Sequence, residues 1–335
     1  MSNLLLKNSI SVKIDDVWSA RKRIAPFIRR TPLIRSNFLS DFIAPDASVF
    51  LKLENLQDTG AFKVRGAANA ILSLSDEKRK SGVTTFSTGN HGLAVAYIAK
   101  QLGIRAVICI SNDVPSAKVD AILRSGAEVM KTGHSQDEAQ EECYRLNREE
   151  GLVVIRPFDD PNVIAGQGTI GLELLEDIPE IDTAIVPLSG GGLISGVALT
   201  LKQNHENIRI IGVSMEKGAA MYESIQSGHP ILVDEAPTLA DSLRGGIGLK
   251  NQYTFQMVHS LVDDIVLLPE SAIADGMKFM LKKHHMAVEG AAATGIGAIL
   301  HRSISTIGKN VAVIVSGNNV NDSTIREIFS ESFPV

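Results

Sequence analysis

The sequence predicts an α/β protein with two open, twisted, mostly parallel sheets flanked by helices. Three observations predict it. Short β-branched runs alternate with stretches of helical periodicity along the chain. The strands so marked fall into two groups, and several run directly into small-residue loops that open the next helix. A length of 335 residues also exceeds the roughly 250–300 at which a single core stops growing.

In chain order, Val17, Ala20, Ile24 and Phe27 share one helical face ahead of Arg30-Thr31-Pro32, and 49–53 then reads as a strand. Strands at 83–86, 106–110, 128–130 and 153–155, with helices near 92–102, 115–125 and 136–149 between them, make a small sheet of their own. Further strands follow at 183–187, 208–213, 264–268 and 311–315, again separated by helices. The expected organisation is a discontinuous larger domain, residues 1–76 and 160–335, interrupted by a smaller one at 77–159. There is no repeat, low-complexity segment or Pro/Gly-rich linker.

Composition narrows the partners. A chain with 44% hydrophobic and 21% charged residues is an ordinary globular one. A net charge of −5 argues against nucleic acid or an anionic membrane as partner. Arg21-Lys22-Arg23 and Arg29-Arg30 sit at helical spacing and read as solvated faces. Leu4-Leu5-Leu6 is too short for a signal-peptide core, and no run approaches the roughly 20 apolar residues of a membrane helix. Cys109 and Cys143 are too few and too far apart in sequence for a disulfide framework or a metal motif. A cytoplasmic protein acting on a small molecule is expected.

Open parallel sheets bind ligands beyond the C-terminal ends of their strands. Four segments there carry chemistry. In Thr59-Gly60-Ala61-Phe62-Lys63-Val64-Arg65-Gly66-Ala67, a lysine shielded by apolar neighbours can lose its proton and attack a carbonyl. Ser87-Thr88-Gly89-Asn90-His91-Gly92 feeds a helix N-terminus, a seat for a carboxylate or phosphate, although an ordinary helix cap reads the same way. In Ser189-Gly190-Gly191-Gly192-Leu193, three glycines let the backbone approach a phosphate closely. The spacing is neither that of a Walker A loop nor of a dinucleotide fingerprint. Ser316 heads Ser316-Gly317-Asn318-Asn319 after the last strand. Pyridoxal phosphate needs such a set: an amine for its aldehyde, a nest for its phosphate, a donor to its phenolic oxygen and a partner for its ring nitrogen.

These four motifs, in this order, resemble the fold-type II pyridoxal-phosphate enzymes, most nearly the threonine dehydratase and serine racemase group. Within it, Ala240-Asp241-Ser242-Leu243 with Gly245-Gly246-Ile247-Gly248 resembles the hydroxyectoine utilisation dehydratases. The likeness runs from about residue 17 to about residue 329. It implies that Lys63 holds pyridoxal 5'-phosphate as a Schiff base and that Phe62 lies against its ring. Asn90 would bond the phenolic oxygen, Ser189, Gly190, Gly191, Gly192 and Leu193 would wrap the phosphate, and Ser316 would face the pyridine nitrogen. Ser87, Thr88, Gly89, Asn90 and His91 would take the substrate carboxylate.

The implied activity is that of a pyridoxal-phosphate lyase, an ammonia-lyase or dehydratase of amino-acid metabolism. Its substrate is a β-hydroxy-α-amino acid: threonine, serine, 3-hydroxyaspartate or one derived from hydroxyectoine. A hydroxyl at Ser316 cannot stabilise a protonated ring nitrogen as an aspartate would, which favours β-elimination. Thr88 keeps the hydroxyl that serine supplies in racemases, but its methyl crowds that face and restricts χ1. A racemase is therefore the alternative, and a β-replacement synthase a further one. The acidic metal-binding pair of racemases falls here on Ser214 and Ala220, so no metal is expected. His134, Ser135, Gln136 or Arg244 are candidates for substrate selection from their loop positions. The length leaves no room for the C-terminal regulatory domain of biosynthetic threonine dehydratases, and a homo-oligomer, dimer or tetramer, is expected.

Overall fold

The computed structural model describes residues 12–44, 46–87, 89–114 and 116–330, without the side chains of 116–118. The Leu4–Leu6 run and Pro115 lie outside them, as does Thr88 of the anion-binding loop.

Among the described residues the strands form two sheets. The larger holds β1 (Leu33–Arg35), β2 (Ser48–Leu53), β7 (Thr183–Pro187), β8 (Arg209–Met215), β9 (Asp264–Leu268) and β10 (Asn310–Val315). Their spatial order is β1-β2-β10-β7-β8-β9, and every pair is parallel except β1 with β2. The smaller, all parallel, has the order β5-β4-β3-β6, from β3 (Val83–Thr85), β4 (Ala106–Ile110), β5 (Glu128–Lys131) and β6 (Val153–Val154).

The central strands are apolar on both faces because helices cover both. In β10, Val311, Val313 and Val315 join the core formed with helices Glu270–His284 and Gly290–Leu300. Ala312 and Ile314 join the opposite core, with helices Pro161–Asp177 and Gly192–Asn204. In the small sheet, Ile108 and Ile110 face one core while Val107 and Cys109 face the other. Cys109 and Cys143, distant in sequence, meet there around the Thr84 hydroxyl, at 3.7 and 3.4 Å, as free buried thiols.

Three expectations need correction. Strand β1 was not foreseen, since three residues carry no measurable period; as an antiparallel edge it tolerates Pro32 beside it. The first helix, Ile14–Ile24, stops before Phe27, which lies half-buried against the small sheet's core. Of the basic clusters, Arg21-Lys22-Arg23 do lie on the helix with Lys22 exposed, whereas Arg29 and Arg30 are exposed but lie past the helix end. Arg21 and Arg30 pair with Glu176, Arg30 also with Asp177, and Arg29 with Asp58. Those partners are too distant in sequence for a local pattern to reveal.

Each sheet has one point where strand order reverses. From β7 the chain steps outward to β8 and β9, then returns on the other side of β7 as β10. From β3 it steps to β4 and β5 and returns on the other side of β3 as β6. Crevices at such reversals are where open α/β sheets hold ligands. Here the crevices are flanked by the loops after β7, β10, β3 and β6, and those loops converge.

Candidate active site

Lys63 is the first residue of helix Lys63–Leu72, rather than part of a loop after β2. Its backbone is fixed to the loop after β10: the Phe62 N–H donates to the Ser316 carbonyl at 3.0 Å, and the Asn318 N–H donates to the Gly60 carbonyl at 2.9 Å. Ala61 and Gly317 form an isolated bridge between these bonds. Beneath the helix lies a closed quartet of charges. Arg65 donates to Glu54 at 2.8 Å through both Nε and one terminal nitrogen, and to Glu173 at 2.6 and 3.0 Å. Lys52 pairs with Glu173 and donates to the Thr31 carbonyl at 2.8 Å. All four side chains are essentially buried, and two positive charges meet two negative ones. The helix crosses Pro161–Asp177 where Gly66 meets Gly166, whose hypothetical Cβ would lie 2.5 Å from the Arg65 carbonyl.

The Lys63 amine donates to the Pro157 carbonyl at 2.9 Å and lies 5.3 Å from the centre of the Phe62 ring. Burial lowers its pKa to about 8, against the opposing pull of Glu289. Pro157 belongs to the segment after β6 that also reaches the triglycine loop. A Cβ on Gly190 would sit 2.5 Å from the Phe158 ring, and one on Gly192 would sit 3.0 Å from the Phe158 backbone. Gly191, at φ +88°, caps helix Gly192–Asn204, so successive amides converge at a helix N-terminus. Ser189 opens this turn and Leu193 is buried behind it. Asp159, next along, accepts from the backbone amides of Gln252, Tyr253 and Thr254 at 2.8 to 3.0 Å, tying this segment to helix Thr254–Leu261.

From the small sheet, Ser87 and Gly89 lead into helix Asn90–Leu102, whose first two residues are Asn90 and His91. His91 Nε2 bonds the Ile155 carbonyl at 3.0 Å, which makes Nε2 the protonated nitrogen, while buried Nδ1 has no protein partner. Burial and the nearby Lys63 push its pKa down to about 3, so the ring is neutral. The Asn90 amide nitrogen donates to both oxygens of Glu289, at 3.1 and 2.9 Å, and its oxygen accepts from Asn319 at 2.6 Å. Ser316 is buried at the end of β10.

The structure thus gathers Phe62, Lys63, Asn90, His91, the 189–193 loop and Ser316 around one crevice. Of the residues offered for substrate selection, His134 pairs with Asp113, Ser135 caps helix Gln136–Glu150, Gln136 is its exposed first residue, and Arg244 pairs with Glu235. Sequence reasoning missed Glu289, Pro157, Phe158 and Asp159. For Glu289, the one available signal is a lone acid amid the apolar small residues from Val288 to Ala293.

The arrangement fits pyridoxal phosphate. A lysine amine that is partly neutral near physiological pH can condense with an aldehyde, and the amide nest beside it can receive a phosphate.

Comparison with known proteins agrees. Residues 24–317 match the family model for pyridoxal-phosphate-dependent enzymes. A catabolic L-threonine dehydratase from Staphylococcus aureus is 41% identical over 100% of this chain and 96% of its own. An L-threonine ammonia-lyase from Thermotoga maritima is 39% identical over 96% of this chain and 79% of its own. The structure of maize serine racemase superposes with a TM-score of 0.89 at 38% identity, covering 94% of this chain and 96% of that one. The chain belongs to the pyridoxal-phosphate-dependent enzymes of fold type II, in the threonine dehydratase and serine racemase group. It is a lyase, and its cofactor is pyridoxal phosphate.

Proposed function

We propose that this lyase removes water from a β-hydroxy-α-amino acid and releases a 2-oxo acid and ammonia. The observation that carries the reading is the placement of the half-buried Lys63 amine, bonded to the Pro157 carbonyl at 2.9 Å beside the Phe158 that packs on the triglycine loop, where desolvation also lowers its pKa to about 8. Bound pyridoxal phosphate supplies an aldehyde for the amine and a conjugated ring that disperses negative charge from Cα. Lys63 would hold the cofactor through its amine, and the same amine, when free, would take the Cα proton as general base. Phe62 would back the ring, the 189–193 loop would receive the phosphate, and Asn90 and Ser316 would address the phenolic oxygen and the ring nitrogen. Backbone amides and hydroxyls of the 87–91 loop orient the substrate carboxylate, with Thr88 assigned from sequence. The β-hydroxyl then departs as water, and hydrolysis of the unsaturated amine gives the products.

Threonine, serine and 3-hydroxyaspartate belong in the first substrate screen, together with a hydroxyectoine-derived amino acid. Domains divided at 76/77 and 159/160, and a dimer or tetramer, complete the proposal. Among the described residues, no helix is long and apolar enough to cross a membrane.

Lys63→Ala is the test. The variant is expected to be colourless after incubation with pyridoxal phosphate, to carry no borohydride-fixed adduct and to release no keto acid; retained turnover refutes the assignment. Racemisation is the second reading, favoured by the likeness to maize serine racemase. Chiral analysis of residual substrate beside keto-acid release separates the two.

A further inference from the structure

We propose that Glu289 is a positioning residue of this site: it fixes the direction of the Asn90 amide, and its charge governs when the Lys63 amine is free to react. The proposal rests on the reading of Lys63 as the cofactor-holding lysine.

The geometry begins with what Glu289 does not do. It stands at the N-cap of helix Gly290–Leu300, where an acidic side chain ordinarily accepts from the helix's own first amides, yet it makes no such bond. Its carboxyl turns instead toward the crevice, only 3% exposed, and accepts from Asn90 and from the Ser242 hydroxyl at 3.1 Å. Space is reserved for it there, since a Cβ on Gly317 would lie 2.7 Å from Glu289 Oε1. Asn90 is consequently held at both ends by partners of opposite sense. Its nitrogen faces an acceptor, Glu289, and its oxygen faces a donor, Asn319. An amide so held cannot flip without losing both interactions.

The ionisable groups around this point come from three directions. Lys63 approaches from helix Lys63–Leu72, Asp241 from the short 3-10 turn Asp241–Leu243 that also carries Ser242, and His91 from the first turn of helix Asn90–Leu102. Burial lifts the Glu289 pKa to about 7; Asn90, Ser242 and Lys63 pull it down, while Asp241 pushes it up. The carboxylate in turn holds the Lys63 pKa up against its own burial. His91 stays neutral and adds no charge. Near neutral pH, the proton on Lys63 is therefore held partly by Glu289.

Removing that charge frees the amine. In Glu289→Gln, the Lys63 pKa is expected to fall below about 8, because the opposing pull of the carboxylate is lost. The neutral fraction of the amine at pH 7 then rises, by about fivefold for a fall of about one unit. The full-length chain is incubated with pyridoxal phosphate across a pH series, quenched with borohydride and analysed for mass at residue 63. The midpoint of adduct formation is expected to move to lower pH in Glu289→Gln. It should move the same way, by less, in Ser242→Ala, which deprives the carboxylate of one donor and raises its affinity for a proton. Ser242→Ala keeps the test open should Glu289→Gln fail to fold, as judged by circular dichroism. Unmoved midpoints overturn the proposal. Absence of any adduct at residue 63 in the unaltered chain overturns the parent reading instead.

Discussion

Replacing Arg65 by leucine tests whether the buried charges beneath the lysine hold the helix that carries it. The guanidinium makes four bonds to two carboxylates, and also reaches the Thr169 hydroxyl at 3.1 Å and the Arg29 carbonyl at 3.4 Å. Leucine keeps the apolar contact but leaves Glu54 and Glu173 facing Lys52 alone. Breaking a buried pair from one side costs about 3–5 kcal/mol, because an uncompensated charge remains. For 335 residues, an unfolding entropy of about 2 cal/mol/K per residue sums to about 0.7 kcal/mol/K, so Tm should fall by about 4–7 °C. Glu54 supplies a pH signature. Burial works against its ionised form, but Arg65, Thr31 and Lys52 outweigh that, and its folded pKa lies below the ordinary 4.5. Its contribution is thus complete above about 4.5 and is lost as pH falls through the folded value. The Tm gap between the original chain and Arg65→Leu should narrow on acidification. Calorimetry over a pH series reads both effects. A gap under a degree, or one that widens in acid, refutes the reasoning.

Two further substitutions probe the frame and the small-sheet side. Gly166→Ala puts a methyl 2.5 Å from the Arg65 carbonyl and should destabilise by about 1–3 kcal/mol through overpacking, measured by urea titration; a neutral outcome would mean the two helices are not in close contact there. His91→Asn should lessen acid lability. The folded pKa of about 3 lies below the unfolded 6.5, so stability from His91 is complete above 6.5 and declines, by about 1.4 kcal/mol per pH unit, toward the folded value. Tm profiles of the two proteins should therefore diverge below pH 6.5.

Much of this was legible in the sequence, for identifiable reasons. Strands buried on both faces read as unbroken apolar runs, as in 183–187 and 311–315, and their following loops carry small and polar residues that stand out. Lys63, Asn90 and the triglycine turn were found in that way. The charge quartet was not, because Lys52 interrupts a strand and Glu54, Arg65 and Glu173 have no common spacing; only the tertiary fold pairs Lys52 and Arg65 with a glutamate more than 100 positions away. Glu289 lies 199 positions from Asn90, and a lone acid before an apolar helix stands out locally without naming that partner. Pro157 and Phe158 act through a carbonyl and through packing, which leave no polar signature. Strand β1 is too short for periodicity to detect.

The placement of Glu289 also follows from the charge the site must accommodate. On the proposed reading, a phosphate and a substrate carboxylate bring negative charge into the crevice that holds Lys63, with His91 held neutral. A fixed carboxylate beside them would be repelled without relief, since isolated buried charge is far more costly than a protonated acid. An acid poised near pH 7 can instead take up a proton as the anions enter and still accept from Asn90 through its carbonyl oxygen. Ligand binding should therefore be accompanied by proton uptake near neutrality. Calorimetric binding of pyridoxal phosphate in buffers of different ionisation enthalpy would read that uptake, and it should fall in Glu289→Gln. Equal proton uptake in both proteins would assign it to another group and remove the electrostatic reason for an acid at this position.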